Sequence, residues 1–146
     1  MSCGQCAGKT DNGPNPYVTN IEEMAAKNPN FRTAIWTGCH MQMTLMCIPP
    51  CGEIGLEVHE DTDQLIRVEQ GRAVVEMGLC EKQSNFHANM CTGDAVFVPA
   101  GTWHNIINIG RTPLKISSVY APAKHPRGTI HPSKADAERE DYKRYG

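Results

Sequence analysis

The residue types in this chain that bind metals or carry redox chemistry are six histidines and seven cysteines among 146 residues. One histidine sits in a patterned segment, Gly93-x5-Pro99-x-Gly101-x2-His104-x3-Asn108. The segment reads as a strand, a Pro-Ala-Gly turn in which Gly101 supplies a positive φ, and a returning strand that His104 opens. By the two-residue period, Ile106 and Asn108 share the face of His104. Upstream, Glu57 and His59 also lie two residues apart, so one strand aims both the same way. Imidazole nitrogen binds first-row transition metals, and a carboxylate adds an oxygen and a charge.

The cysteines point elsewhere. They occupy positions 3, 6, 39, 47, 51, 80 and 91, an odd number with no second pair near Cys3-x-x-Cys6 that would complete a zinc site. Reduced thiols are expected, and Cys47-x3-Cys51 reads as turn residues around Pro49 and Pro50. His40, His87, His125 and His131 show no spacing to the patterned segments. Asp61 and Asp63 read as turn residues, with Asp63 a secondary metal-ligand candidate. The Met-rich run from Met41 to Met46 reads as core or lining, and Trp36 and Trp103 as packing residues, Trp103 next to a pocket mouth.

These side chains must be placed by a β-rich frame. A chain of this length fits one domain. Apolar residues are 40% of it and charged residues 21%, enough for one core and too few charges for disorder. Short β-rich runs follow one another with Gly and Pro between them: Arg32–Thr37, Met41–Ile48, Glu53–His59, Asp63–Glu69, Ala73–Met77, Ala95–Val98, His104–Asn108 and Pro113–Tyr120. No helical pattern alternates with them, so a sandwich or barrel is expected rather than a parallel α/β sheet. Residues 1–18 read as an arm. Capping spacings at Thr19-x2-Glu22 and Asn20-x2-Glu23 open a short helix from Ile21 to about Lys27, stopped by Pro29. Ser133-x2-Asp136 opens a polar helix to about Arg144 that lacks an apolar stripe and is expected to lie on the surface. The division is residues 1–40 as arm and short helix, 41–121 as barrel, and 122–146 as loop and helix.

The patterned segment matches the second motif of the cupin superfamily at every fixed position, and the chain resembles that superfamily over roughly Met41 to Ala121. The first cupin motif has two His, a Glu and a Gly, here anchored on Gly71. Two registers of it are open. His59 and Asp61 stand at the His positions in one, Glu57 and His59 in the other; the second keeps the ordinary spacing and puts Gln64 at the Glu position. The run from Glu57 to Gln64, with Val98 to Asn105, is similar to small mannose-6-phosphate-isomerase-like cupins. The resemblance implies an all-β, double-stranded β-helix (jelly-roll) cupin barrel with short N- and C-terminal helices. It implies one divalent metal ion (Fe, Mn, Zn or Ni) held by Glu57, His59, Gln64 and His104, with Gln64 either a direct ligand or an orienting group. It also implies a homodimer and a small polar molecule bound in the barrel, with dioxygenase, isomerase or lyase chemistry, or binding and sensing without turnover. A third reading is a metal- or redox-responsive protein that uses the extra thiols.

The net charge is −2, which gives no reason to expect nucleic acid or an anionic membrane as partner. No apolar run reaches the length of a membrane span. The polar N-terminus lacks the regions of a signal peptide, which predicts a cytoplasmic protein.

Overall fold

The computed structural model describes residues 11–145. In chain order the elements are α1 (Ile21–Lys27), β1 (Arg32–Thr37), β2 (Gln42–Ile48), β3 (Asp63–Gln70), β4 (Arg72–Gly78), β5 (Phe86–Cys91), β6 (Ala95–Val98), β7 (Trp103–Asn108), β8 (Leu114–Ala121), β9 (Ile130–His131) and α2 (Lys134–Tyr145). Strands pair antiparallel in two sheets, β6-β3-β8-β2-β1-β9 and β5-β4-β7. Their inner faces share one core that draws Met46, Ile48, Ile66, Val68 and Ile116 from the larger sheet and Val75, Met77, Met90 and Ile106 from the smaller. This is the expected jelly roll; its hydrogen-bond ladder is split between the two sheets rather than closed into a ring.

The two-residue period decides what faces inward. Along β3, Gln64, Ile66 and Val68 are buried, and the register pairs them with Tyr120, Ser118 and Ile116 of β8. The inward face is therefore apolar at one end and turns polar at the other, where Gln64, Ser118 and Tyr120 meet. Strand β2 is buried on both faces, as the Met-rich run suggested. Its Thr44, Met46 and Ile48 face inward, and its Leu45 packs outward with Ala25 and Ile35 beneath α1. That helix starts because the Asn20 side chain accepts from Glu23 N at 2.9 Å. Thr19 does not cap; its hydroxyl meets Met24 Sδ.

Three expectations fail for local reasons. The segment 53–59 is not a strand: it pairs with β7 through the isolated bridges Glu53–Ile107 and Glu57–His104, with the Asn105 side chain bonding Gly55 N and Glu53 Oε1 between them, because Gly55, at φ +106°, bends the chain there. Strand β5 went unread because Phe86-His-Ala-Asn-Met-Cys has no β-branched residue and buries only Met90 fully, and the two-residue β9 is too short to leave a pattern. Helix α2 is not a free surface helix. Its capping box forms as expected, Ser133 and Asp136 bonding each other's backbone N–H, but Ala137 enters the core and Glu140 reaches His131 Nε2 at 3.0 Å. One small side chain and one hydrogen bond dock a helix without any stripe.

The turn between β6 and β7 joins the two patterned segments. Gly101 adopts φ +80° and its N–H donates to His59 O at 2.8 Å, while Ala100 N–H donates to Asp63 Oδ1 at 2.8 Å. Asp63 is thus a turn anchor, as one of its two readings held. Asn108 closes the far end of β7: its Nδ2 donates to Ile48 O at 3.0 Å and Thr112 O at 2.9 Å, and its Oδ1 accepts from Gly110 N at 2.9 Å. The residue is buried, so truncation strands these partners, each worth about 1–3 kcal/mol. Asn108→Ala is expected to cost about 2–4 kcal/mol in urea denaturation; a loss below about 1 kcal/mol would contradict a clamping role.

Candidate metal centre

The polar end of the core brings Glu57, His59 and His104 together. One potential ligand atom from each lies within 4.8 Å of the other two. His59 Nε2 is 3.7 Å from Glu57 Oε1, and His104 Nε2 is 3.8 Å from Glu57 Oε2. The imidazole centroids stand 5.2 Å apart, edge to face. His104 is held by β7. Glu57 is held against it by paired backbone bonds, Glu57 N to His104 O at 3.0 Å and His104 N to Glu57 O at 2.9 Å. His59 is fixed through its carbonyl by Gly101. The segment need not be a strand to aim these groups; two backbone anchors suffice.

Proton placement follows from the hydrogen bonds. His104 Nδ1 lies 3.0 Å from Thr102 O, and a carbonyl only accepts, so Nδ1 carries the proton. That tautomer leaves a lone pair on Nε2, which is buried without a hydrogen-bond partner and faces Glu57. Both nitrogens of His59 are likewise buried and unpartnered. Burial pushes the His59 imidazole down to about 3, and the charges of His104, Lys124 and Arg32 add to the effect. Burial pushes the Glu57 carboxyl up, while Arg32 and His104 pull it back.

Gln64 lies beside this group, 3% exposed, its Nε2 donating to Ser118 Oγ at 3.4 Å and its Oε1 buried with no partner. Asp61 is exposed, and Asp63 is spent on the turn. His40 and His87 are exposed and far from the cluster in the fold. Trp103 is half-buried at the start of β7. The five described cysteines are free, and Cys3 and Cys6 lie outside the described residues.

Sequence spacing missed four neighbours. Tyr120, 1% exposed, lies edge-on to His59 with centroids 5.8 Å apart and to His125 at 5.2 Å; burial pushes its phenol up. His125 and Lys124 arrive on the loop after β8. Buried Gln42 grips that loop: its Oε1 accepts from Lys124 N and His125 N, and its Nε2 donates to His125 O at 2.8 Å. Burial pushes His125 down to about 2, with the Arg32 charge next in effect. Arg32, from β1, joins them round a cavity of about 430 Å3 lined by Arg32, Glu57, His59, Lys124, His125 and Tyr142 among others. The contact of Gln42 with this loop exists only through the packing of β2 against it, so sequence spacing carried no signal for these neighbours.

A two-sheet jelly roll with two histidines and a carboxylate gathered at one end of its core defines a cupin architecture. The cupin domain family matches residues 44–120, and the chain belongs to that family. It is 53% identical over 127 residues to the uncharacterized protein YrkC of Bacillus subtilis, covering 87% of this chain and 68% of that one. It is 42% identical over 115 residues to the uncharacterized protein L612 of Acanthamoeba polyphaga mimivirus, covering 78% and 70%. Among solved structures, BH2720 of Bacillus halodurans superposes with a TM-score of 0.88 at 48% identity, over 89% of this chain and 98% of that one. No helix among the described residues is long and apolar enough to cross a membrane.

The depressed histidines link stability to pH. Below their ordinary value of 6.5 the unfolded chain takes up protons at His59 and His125 that the native chain refuses until about 3 and 2. The unfolded state then binds more protons, so the stability of metal-free protein falls as pH drops from 7 towards 5, by at most about 1.4 kcal/mol per pH unit for each histidine. Glu57, raised above 4.5, opposes this at pH values above 4.5, where the native state takes up its proton before the unfolded chain does. Urea midpoints at pH 7, 6 and 5 measure the slope, and His125→Gln should flatten it by about half; equal midpoints at all three would refute the burial argument.

Proposed function

We propose that Glu57, His59 and His104 hold one divalent transition-metal ion, and that the protein is a metal-dependent enzyme acting on a small polar molecule in the adjoining cavity. The observation that carries the reading is the set of orphaned imidazole nitrogens. A buried polar atom without a partner costs about 1–3 kcal/mol, and two such nitrogens, His59 Nε2 and His104 Nε2, border one carboxylate. A cation at their centre satisfies them together. Two neutral imidazoles and one carboxylate suit Fe, Mn, Zn or Ni and leave coordination positions open. Gln64 fits beside them, its unpartnered Oε1 either ligating weakly or orienting a water.

When bound, the ion supplies Lewis acidity, and with iron a place for oxygen. This chain's residues supply the rest. Thr102 O fixes the His104 tautomer, Gly101 fixes the His59 backbone, and Tyr120 with the Gln42-held loop walls the group from water. Isomerase, lyase and dioxygenase chemistry all use such a centre; the metal found decides among them. A non-catalytic binding module is the second reading. It is favoured by His125, the imidazole nearest the cavity outside the ligand set, which is held neutral far below physiological pH and so is a poor proton shuttle.

Elemental mass spectrometry of purified or reconstituted protein is expected to find about one equivalent of metal, lost in His59→Ala and His104→Ala and weakened at least tenfold in Glu57→Ala. Gln64→Ala should retain metal with lower affinity. Chelation of the wild type should lower its melting temperature. A wild type that takes up no metal after reconstitution would sink the reading. Metal without turnover in oxygen-uptake and isomerase screens would favour the binding module.

A further inference from the structure

The cavity beside the metal centre has a charge pattern of its own. Arg32 and Lys124 line it together with the carboxylates of Glu57 and Asp141 and the imidazoles of His59 and His125. Arg32 is 5% exposed, unusual for a guanidinium. Its Nη1 donates to His131 Nδ1 at 3.1 Å, and since Nδ1 accepts, the proton of that imidazole is on Nε2, which donates to Glu140 at 3.0 Å. The Arg32 plane also lies over the Phe31 ring, 5.3 Å from its centroid. Helix α2 thus orients Arg32 through His131. Its Nε atom remains buried with no hydrogen-bond partner, while the guanidinium also meets the Tyr120 side chain. Burying a cation and leaving one of its donors empty is costly unless something else accepts there.

We propose that this cavity binds a small carboxylate anion, anchored by the Nε edge of Arg32 with Lys124 at the mouth. This rests on the metal reading above in one respect. The two cations and two carboxylates that line the cavity cancel, so it is the divalent ion that leaves positive charge for an incoming anion to meet. The guanidinium fork matches a planar carboxylate, and at about 430 Å3 the cavity has room for a molecule of a few carbons. Arg32 and Lys124 are binding residues in this proposal; His131 and Glu140 are positioning residues that act through Arg32.

Calorimetric titration of malonate into the full-length protein tests it, with metal content measured on every sample and inorganic phosphate as the comparison anion. The expected result is saturable malonate binding to metal-loaded wild type, weakened at least tenfold in both Arg32→Lys and Lys124→Met while their metal content stays near that of wild type. Lys124 is half-buried on a loop, so its variant serves if Arg32→Lys does not fold. His131→Gln, which keeps every charge lining the cavity, is expected to weaken malonate without changing metal content. Metal bound normally with no malonate binding, or with equal binding in wild type and both cation variants, overturns the anion site and leaves the metal reading standing. Phosphate binding more tightly than malonate overturns the carboxylate class. Absence of metal from the wild type refutes the metal reading by its own measurement, and the anion site falls with it unless metal-free protein binds malonate with the same dependence on Arg32.

Discussion

Two imidazoles and a carboxylate sit at one end of an otherwise apolar core, and no protein group satisfies the nitrogens that face the carboxylate. Most of the surrounding structure answers that constraint. Burial keeps His59 neutral, which preserves a lone pair on one ring nitrogen, and Thr102 O fixes the proton of His104 on the far nitrogen. Backbone bonds from β7 and from the turn at Gly101 hold Glu57 and His59 where a strand ladder does not reach. Under the proposed metal reading, a cation at their centre would return the local stability given up in leaving such groups unpaired, and folding would be coupled to metal.

The rest of the core supplies rigidity. Ile66, Val68, Ile116, Val75 and Ile106 pack between the two sheets, so the inward faces of β3, β7 and β8 are fixed in register before their polar ends are reached. A one-residue slip of β3 would turn Gln64 and Ile66 outward together, so the packing that stabilises the fold also specifies the site. At the open end, distant elements converge. Arg32 comes from β1, Lys124 and His125 from a loop held by buried Gln42, and Asp141 and Tyr142 from α2. Helix α2, held by Ala137 and Glu140, is in this way a wall of the cavity rather than an appendage.

Much of this was legible in the residues. The strand-turn-strand around Gly101 and His104 and the alternation in β3, β4 and β8 depend on local rules of period and turn, and the structure obeys them, whereas Glu57 and His59 converge through backbone anchors rather than through a strand. The spacing to Gly71 also picked out Gln64, whose burial with an orphaned oxygen only coordinates reveal. Where reading failed, the missing information was nonlocal. Segment 53–59 has strand-like composition, but it pairs with β7 through isolated bridges and Gly55 turns it between them. Strand β5 has poor composition and forms because β4 offers it an edge.

The sequence by itself determined an all-β jelly roll, its turns, and a His-rich pattern at one end, because turn chemistry and two-residue alternation act over a few neighbouring residues. Only tertiary structure decided that Arg32 and His125 join His59 at one cavity with Tyr120 edge-on to both imidazoles, and that a polar helix would dock through Ala137 and Glu140. Those residues lie far apart along the chain. Their meeting depends on how the two sheets pack and where the loop after β8 is pinned, and no local periodicity encodes either.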